Sequence, residues 1–116
     1  MNYDLEERAA KLGEAVIAFC RELIKDEISR PLISQIIRSA TSVGANYMEA
    51  NQAGSKKDFY HKIRICLKEA NETKHWLRMI AQAEADQIDK CRRLWQEAHE
   101  LTLIFGKIAS KKRLES

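Results

Sequence analysis

The chain has 116 residues, 45% of them hydrophobic, 32% charged and 7% aromatic, with four Gly, one Pro and a formal net charge of +3. That length suits one domain around one core, and the composition excludes a disordered tail, a collagen-like chain and a turn-rich all-β sandwich. No apolar run approaches the roughly 20 residues that span a bilayer, and Met1-Asn2-Tyr3-Asp4 lacks the basic start and apolar stretch of a secretory signal. A soluble, cytoplasmic, single helical domain without membrane contact is expected.

The breaker residues divide the chain into four segments. From residue 4 to about 25, Leu5, Ala9, Leu12, Val16, Phe19 and Leu23 recur at alternating steps of four and three, the spacing of a helix with one buried face. Ser29-Arg30-Pro31 then offers a capping residue and a proline tolerated in a first turn, so a second helix is expected over about 30–52. Its apolar positions include Ile33, Ile37, Ala40, Gly44 and Tyr47, and Ala53-Gly54 supplies the stop. Ser55-Lys56-Lys57-Asp58 has the form of a capping box with Asp in the acidic slot, which starts a third helix at once, over 56–83. Phe59, Ile63, Cys66, Ala70, Thr73, Leu77 and Ile80 mark its inner face. After Glu84-Ala85-Asp86-Gln87, a fourth helix over about 88–110 repeats the pattern with Ile88, Cys91, Leu94, Ala98, Leu101, Phe105 and Ile108, and the basic end beyond it is expected to fray. Short links force successive helices antiparallel, so the expected fold is all-α, an up-down-up-down four-helix bundle.

Cys20, Cys66 and Cys91 are odd in number, lack paired metal-ligand spacing and fall on apolar helical positions, as small hydrophobes of a reduced core do. The three histidines, His61, His75 and His99, form no i, i+4 pair, and no metal or other cofactor is expected. Trp76 and Trp95, with Tyr47 and Tyr60 partly off the main stripes, point to apolar surface beyond one bundle core.

The second helix is poor in helix formers at its middle, where Ser39, Thr41, Ser42, Gly44 and Asn46 stand close together. Small side chains there let another helix approach closely. Arg38, Ser42, Asn46 and Glu49 follow at steps of four, four and three, a polar seam beside the apolar stripe. Lys68, Asn71, Glu72 and His75 form a polar counterpart on the third helix, and a buried Glu72 would need a cation such as Arg38. The seam reads either as a contact within the bundle or between subunits, or as a solvated face.

Charge is uneven along the chain. Residues 1–30 carry seven acids against five bases, residues 51–70 two against five, and residues 91–116 three against six. In an up-down bundle the start of the third helix and the end of the fourth lie at one end. Lys56, Lys57, Lys62, Arg64 and Lys68 would then share that end with Lys107, Lys111, Lys112 and Arg113, a candidate surface for nucleic-acid phosphates. The alternative is a solvated basic face, since no helix-turn-helix, zinc-finger or stacking motif supplies base recognition.

Residues 35–46, Gln-Ile-Ile-Arg-Ser-Ala-Thr-Ser-Val-Gly-Ala-Asn, then Glu49, Ser55-Lys56-Lys57-Asp58-Phe59, Ala70-Asn71-Glu72 and Trp76-Leu77 resemble the four helix bundle protein family. That family was first described as the product of intervening sequences in large-subunit ribosomal RNA genes. The resemblance covers nearly the whole chain. It implies an up-down bundle assembled as a homopentamer and contact with RNA or DNA, as in the similar accessory protein of diversity-generating retroelements. The matching positions are Arg38, Ser42, Asn46, Glu49 and Glu72. One departure is Glu49-Ala50 where the family often has Glu-Gly, with the glycine at Gly54, which implies a longer turn between the second and third helices.

The leading expectation is a non-enzymatic, ring-like homo-oligomer, a pentamer, that binds nucleic acid through basic bundle ends. A protein-interaction module that docks a partner through the seam and exposed aromatics is the runner-up. An enzyme or small-molecule binder using Ser42, Glu49 and Glu72 comes third.

Overall fold

The computed structural model describes residues 3–115, with side chains from Asp4 to Lys111. Four helices follow one another, α1 (Tyr3–Arg21), α2 (Ser29–Asn51), α3 (Lys56–Ala83) and α4 (Ile88–Glu115), with a 3₁₀ turn over Ala85–Gln87 before the last. Each helix packs on its two neighbours, α2 on α1 and α3, α4 on α3 and α1, which is the expected bundle. Its dimensions are 47 × 23 × 21 Å. No helix among the described residues is long and apolar enough to cross a membrane.

The inner face of α1 is the one its spacing dictates: Leu5, Ala9, Leu12, Val16, Phe19 and, just past the helix, Leu23 are all buried. α3 behaves likewise from Ile63 to Ile80; on α4 Cys91, Ala98, Leu101 and Phe105 are buried, Leu94 only flanks the core and Ile88 at the start is exposed. The three thiols are all buried.

α2 keeps Ala40 and Tyr47 of its expected stripe but buries Ile36 and Val43 in place of their neighbours Ile37 and Gly44. Ile36, Ser39, Ala40, Val43, Tyr47 and Ala50 are buried, while Ile33 and Ile37 only flank the core. The cause is that α2 touches both α1 and α3, so its buried arc is wide enough to take in a polar residue. Ser39 enters the interior because its hydroxyl meets that of Thr73 on α3 at 2.9 Å, and Thr73 in turn donates to the Glu69 carbonyl at 2.9 Å. Tyr47 and Tyr60 also lie inside rather than on the flanks. The Tyr47 ring packs against Phe105 of α4 with centroids 5.7 Å apart.

The helix ends differ from expectation for reasons that lie in the side chains. α1 stops at Arg21, short of residue 25, because the Lys25 ammonium takes the carbonyls of Cys20 and Leu23 at 2.5 and 2.7 Å. Ser29 does not cap α2. Asp26 does so, its carboxylate accepting from the Ile28 and Ser29 amides at 3.0 and 2.8 Å. Ser29 sits in the first turn and donates to Glu84 at 3.0 Å. Ser55 does cap α3, accepting from the Asp58 amide at 3.1 Å. α4 runs past 110 to Glu115 instead of fraying, through Lys, Arg and Leu, which are all good helix formers.

Candidate nucleic-acid interface

The polar seam of α2 is a clamp onto α3. Arg38 projects between two carboxylates, with Nη1 3.1 Å from Glu69 Oε1 and Nη2 2.5 Å from Glu72 Oε1. Glu72, foremost, and Glu69 raise the guanidinium pKa further by accepting its hydrogen bonds. One turn on, Ser42 donates to the Arg38 carbonyl at 2.6 Å, and Asn46 donates to the Ser42 carbonyl at 2.8 Å. Glu49 closes the seam by accepting from Lys62 of α3 at 2.6 Å. Half-exposed pairs of this kind contribute about 0.2–1 kcal/mol each. The rotation of α3 about its axis is set by its buried stripe from Ile63 to Ile80, and these pairs are consistent with it. Ser42 has its hydroxyl engaged by main chain, and among the described residues no group of three or more His, Cys, Asp or Glu is placed to hold a metal ion.

The small residues of α2 serve a different neighbour. A Cβ added at Gly44 would lie 3.4 Å from the Ala10 nitrogen and the Ala9 carbonyl carbon of α1, and one added at Gly13 of α1 would lie 3.4 Å from Thr41 Cα. Backbones of α1 and α2 therefore run in mutual contact, as the small-residue pattern required.

With α3 held in this rotation, its outward side becomes a ridge. Lys57, His61, Arg64, Lys68, Asn71 and His75 follow at steps of four, three, four, three and four, all exposed, and no acid interrupts them. At 1.5 Å per residue the ridge is about 27 Å long. Of the acids of α3, Glu69 and Glu72 sit on its α2 side, where Arg38 answers their charge, and Asp58 lies in the first turn beside Lys57. The ridge is thus a line of fixed cations and hydrogen-bonding groups with little opposing field, suited to phosphates spaced along a backbone.

The nine cations expected at one end divide. Lys56 and Lys57 are exposed at the start of α3, and Lys107 and Lys111 are exposed on the last turns of α4, which antiparallel packing brings to the same end. Lys62 is bound to Glu49. Arg64 and Lys68 climb the side of the bundle, about 12 and 18 Å from the start of α3. The side chains of Lys112 and Arg113 lie outside the described residues. Asn71 and His75 stood beside Lys68 in the polar face expected on the third helix, whereas His61 was in neither set; the helical period, read two positions back from the apolar stripe, places all three on the ridge.

A sequence profile described as "23S rRNA-intervening sequence protein" matches residues 1–107. Among solved structures, the chain is similar to a protein of unknown function from the S23 ribosomal protein family of Bacteroides thetaiotaomicron. The TM-score is 0.83 and the identity 30%, over 90% of this chain and 97% of that one. No curated protein matches. Matched by the profile over nearly its whole length, and sharing its fold with that structure, the chain belongs to the 23S rRNA-intervening sequence protein family.

Proposed function

We propose that this protein is a non-enzymatic assembly module, a ring-like homo-oligomer that is pentameric by its resemblance, and that it binds RNA or DNA along the α3 ridge and the adjoining basic end. The observation that carries the reading is the acid-free line of Lys57, Arg64 and Lys68 on the exposed side of α3. Alone, such a line holds a few phosphates weakly. Repeated around a closed assembly, it lets one strand engage several ridges, and the second contact forms at the high local concentration set by the first.

The test is binding of fluorescent single-stranded RNA and duplex DNA, by anisotropy, across a salt series. Three neutralised phosphates per ridge give a log–log salt slope of about −2.1 for a single strand and about −2.7 for B-DNA, multiplied by the number of ridges engaged. Arg64→Gln with Lys68→Gln is expected to remove about two thirds of that slope. Binding indifferent to salt, or unchanged in the double variant, refutes the reading. A protein captured from nuclease-treated lysate, with no nucleic-acid binding, would establish the interaction-module alternative.

A further inference from the structure

Arg78 follows His75 at the same helical spacing, is exposed, and carries the α3 ridge on to a shallow groove between α3 and α4. Apolar Leu77, Ala81, Ile88 and Trp95 line that groove, and its charged lining residues are Arg78 and Arg92, both bases. Among the described residues neither arginine forms an ion pair. An apolar floor thus lies between two uncommitted cations, at the end of a line of others.

Trp95 is 36% exposed, and its ring is held from one side. His99, one turn further along α4, stacks on it with centroids 4.9 Å apart and planes 14° apart. The Lys74 ammonium donates to His99 Nδ1 at 3.0 Å and lies 4.8 Å from the indole centre. A hydrogen bond to an imidazole lone pair lies in the imidazole plane, and that plane is nearly parallel to the indole, so Lys74 and His99 share one face of the ring. Ile88 and Arg92 approach from the opposite direction, from the turns before Trp95, and leave the other face turned to the groove. No sequence motif announces this ring, because its support comes from α3 and from a residue one turn away.

We infer that the α3–α4 groove holds an unpaired base of a single-stranded nucleic acid against the open face of Trp95, with Arg78 and Arg92 at the flanking phosphates and the strand continuing along the ridge toward Lys57. The occupant follows from charge and shape together: an immobilised indole takes a flat ring, and the arginines beside it take the anions that a nucleotide carries on either side of its base. In a duplex the bases are stacked on one another and their faces are closed, so a duplex can use the ridge but not the ring. Trp95 therefore makes the protein prefer a single strand, through a contact that salt does not screen. Stacking uses no 2′-hydroxyl and every base has a flat face, so RNA and DNA strands both fit and base identity matters little.

This site rests on the ridge reading above, and the choice of probes separates the two. Fluorescent oligothymidylate, oligouridylate, an abasic sugar-phosphate strand of equal length and a duplex are titrated with protein by anisotropy at low and moderate salt. The abasic strand keeps the phosphates and lacks the rings. The wild type is expected to bind the thymidylate and uridylate strands about 5- to 150-fold more tightly than the abasic strand, the range a stacked base supplies. Trp95→Ala is expected to bring the base-bearing strands down to the abasic level with their salt slopes intact, and Trp95→Phe to restore part of the difference. Circular dichroism checks the fold of each variant, and the wild-type comparison of abasic with base-bearing strands needs no variant. Equal wild-type affinity for those strands, or a Trp95→Ala loss of the same size on the abasic strand, overturns the stacking site and leaves the ridge in place. A preference confined to the uridylate strand would assign selectivity to a 2′-hydroxyl contact and likewise overturn it. A wild type that binds none of the four probes overturns both.

Discussion

The close approach of α1 and α2 makes a prediction of opposite sign for two substitutions at one position. Gly44 lies in mid-helix, where glycine costs about 1 kcal/mol relative to alanine, and its left neighbour in space is backbone that cannot swing aside. A Cβ there sits 3.4 Å from the Ala10 nitrogen and the Ala9 carbonyl carbon and 3.5 Å from Ala10 Cα, which is ordinary contact. Gly44→Ala therefore fills available space and gains helix propensity, a net stabilisation of about 0.5–1 kcal/mol. Gly44→Val adds two methyl groups beyond that Cβ, where α1 backbone already stands. Overpacking of this sort costs about 1–3 kcal/mol. For a domain of this size 1 kcal/mol moves Tm by about 4 °C. Thermal melts followed at 222 nm, at matched protein concentration, are expected to rise by about 2–4 °C for alanine and to fall by about 4–12 °C for valine. A fall with alanine, or equal melting of the two variants, would refute the backbone contact.

Two further outcomes concern the interior. At the Ser39–Thr73 hydroxyl pair, Ser39→Ala and Thr73→Val are each expected to lower urea stability by about 1 kcal/mol, because each removes the bond between the helices and leaves the partner only a carbonyl of its own helix, Glu69 for Thr73 and Ile36 for Ser39. Together they remove both polar groups and cost less than the sum, so additive losses in a double-mutant cycle would show the hydroxyls uncoupled. Burial pushes the thiols of Cys20 and Cys91 up to about 11 and that of Cys66 up to about 12, from an ordinary value of 9.0. A folded-state pKa that is raised gives stability fully present below pH 9 and lost as pH climbs toward 11–12, since only the unfolded chain ionises at the start of that window. Urea midpoints are expected to fall across it, and iodoacetamide at pH 8 is expected to label the native protein far more slowly than the unfolded chain. Rapid labelling of all three thiols in the native state would contradict their enclosure.

How far the fold was legible depended on how local its causes are. The α1, α3 and α4 stripes follow from spacing alone, since burying one face of a helix leaves a period that the sequence displays. α2 differs at two positions because Ile36 and Ile37, and Val43 and Gly44, are adjacent pairs in which either member suits a stripe, while Ala40 and Tyr47 hold as expected. Ser39 decided the matter through a partner 34 residues away. The α2 start falls within a residue of expectation, but its cap does not: Ser29 is the usual capping residue, and Glu84, 55 residues on, claims its hydroxyl. In the seam, the Arg38–Glu72 pair followed from the register of two polar faces, whereas Glu69 did not stand out until the rotation of α3 was known. The basic ridge was hidden in segment totals, which sum inward and outward positions alike.

Glu84 has a consequence for how the two ends of the molecule respond to alteration. Its carboxylate, only 7% exposed, accepts from the Ile24 amide at 3.2 Å and from Ser29 at 3.0 Å, so the connection after α1 is tied to the connection after α3. Among the described residues no carboxylate bridges the connection between α2 and α3 to another connection in this way, and a side chain placed at Gly54 would touch nothing within 4 Å. New termini, tags or grafted peptides belong at Ala53–Gly54, and the same insertion beside Ile24 would loosen two links of the chain at once.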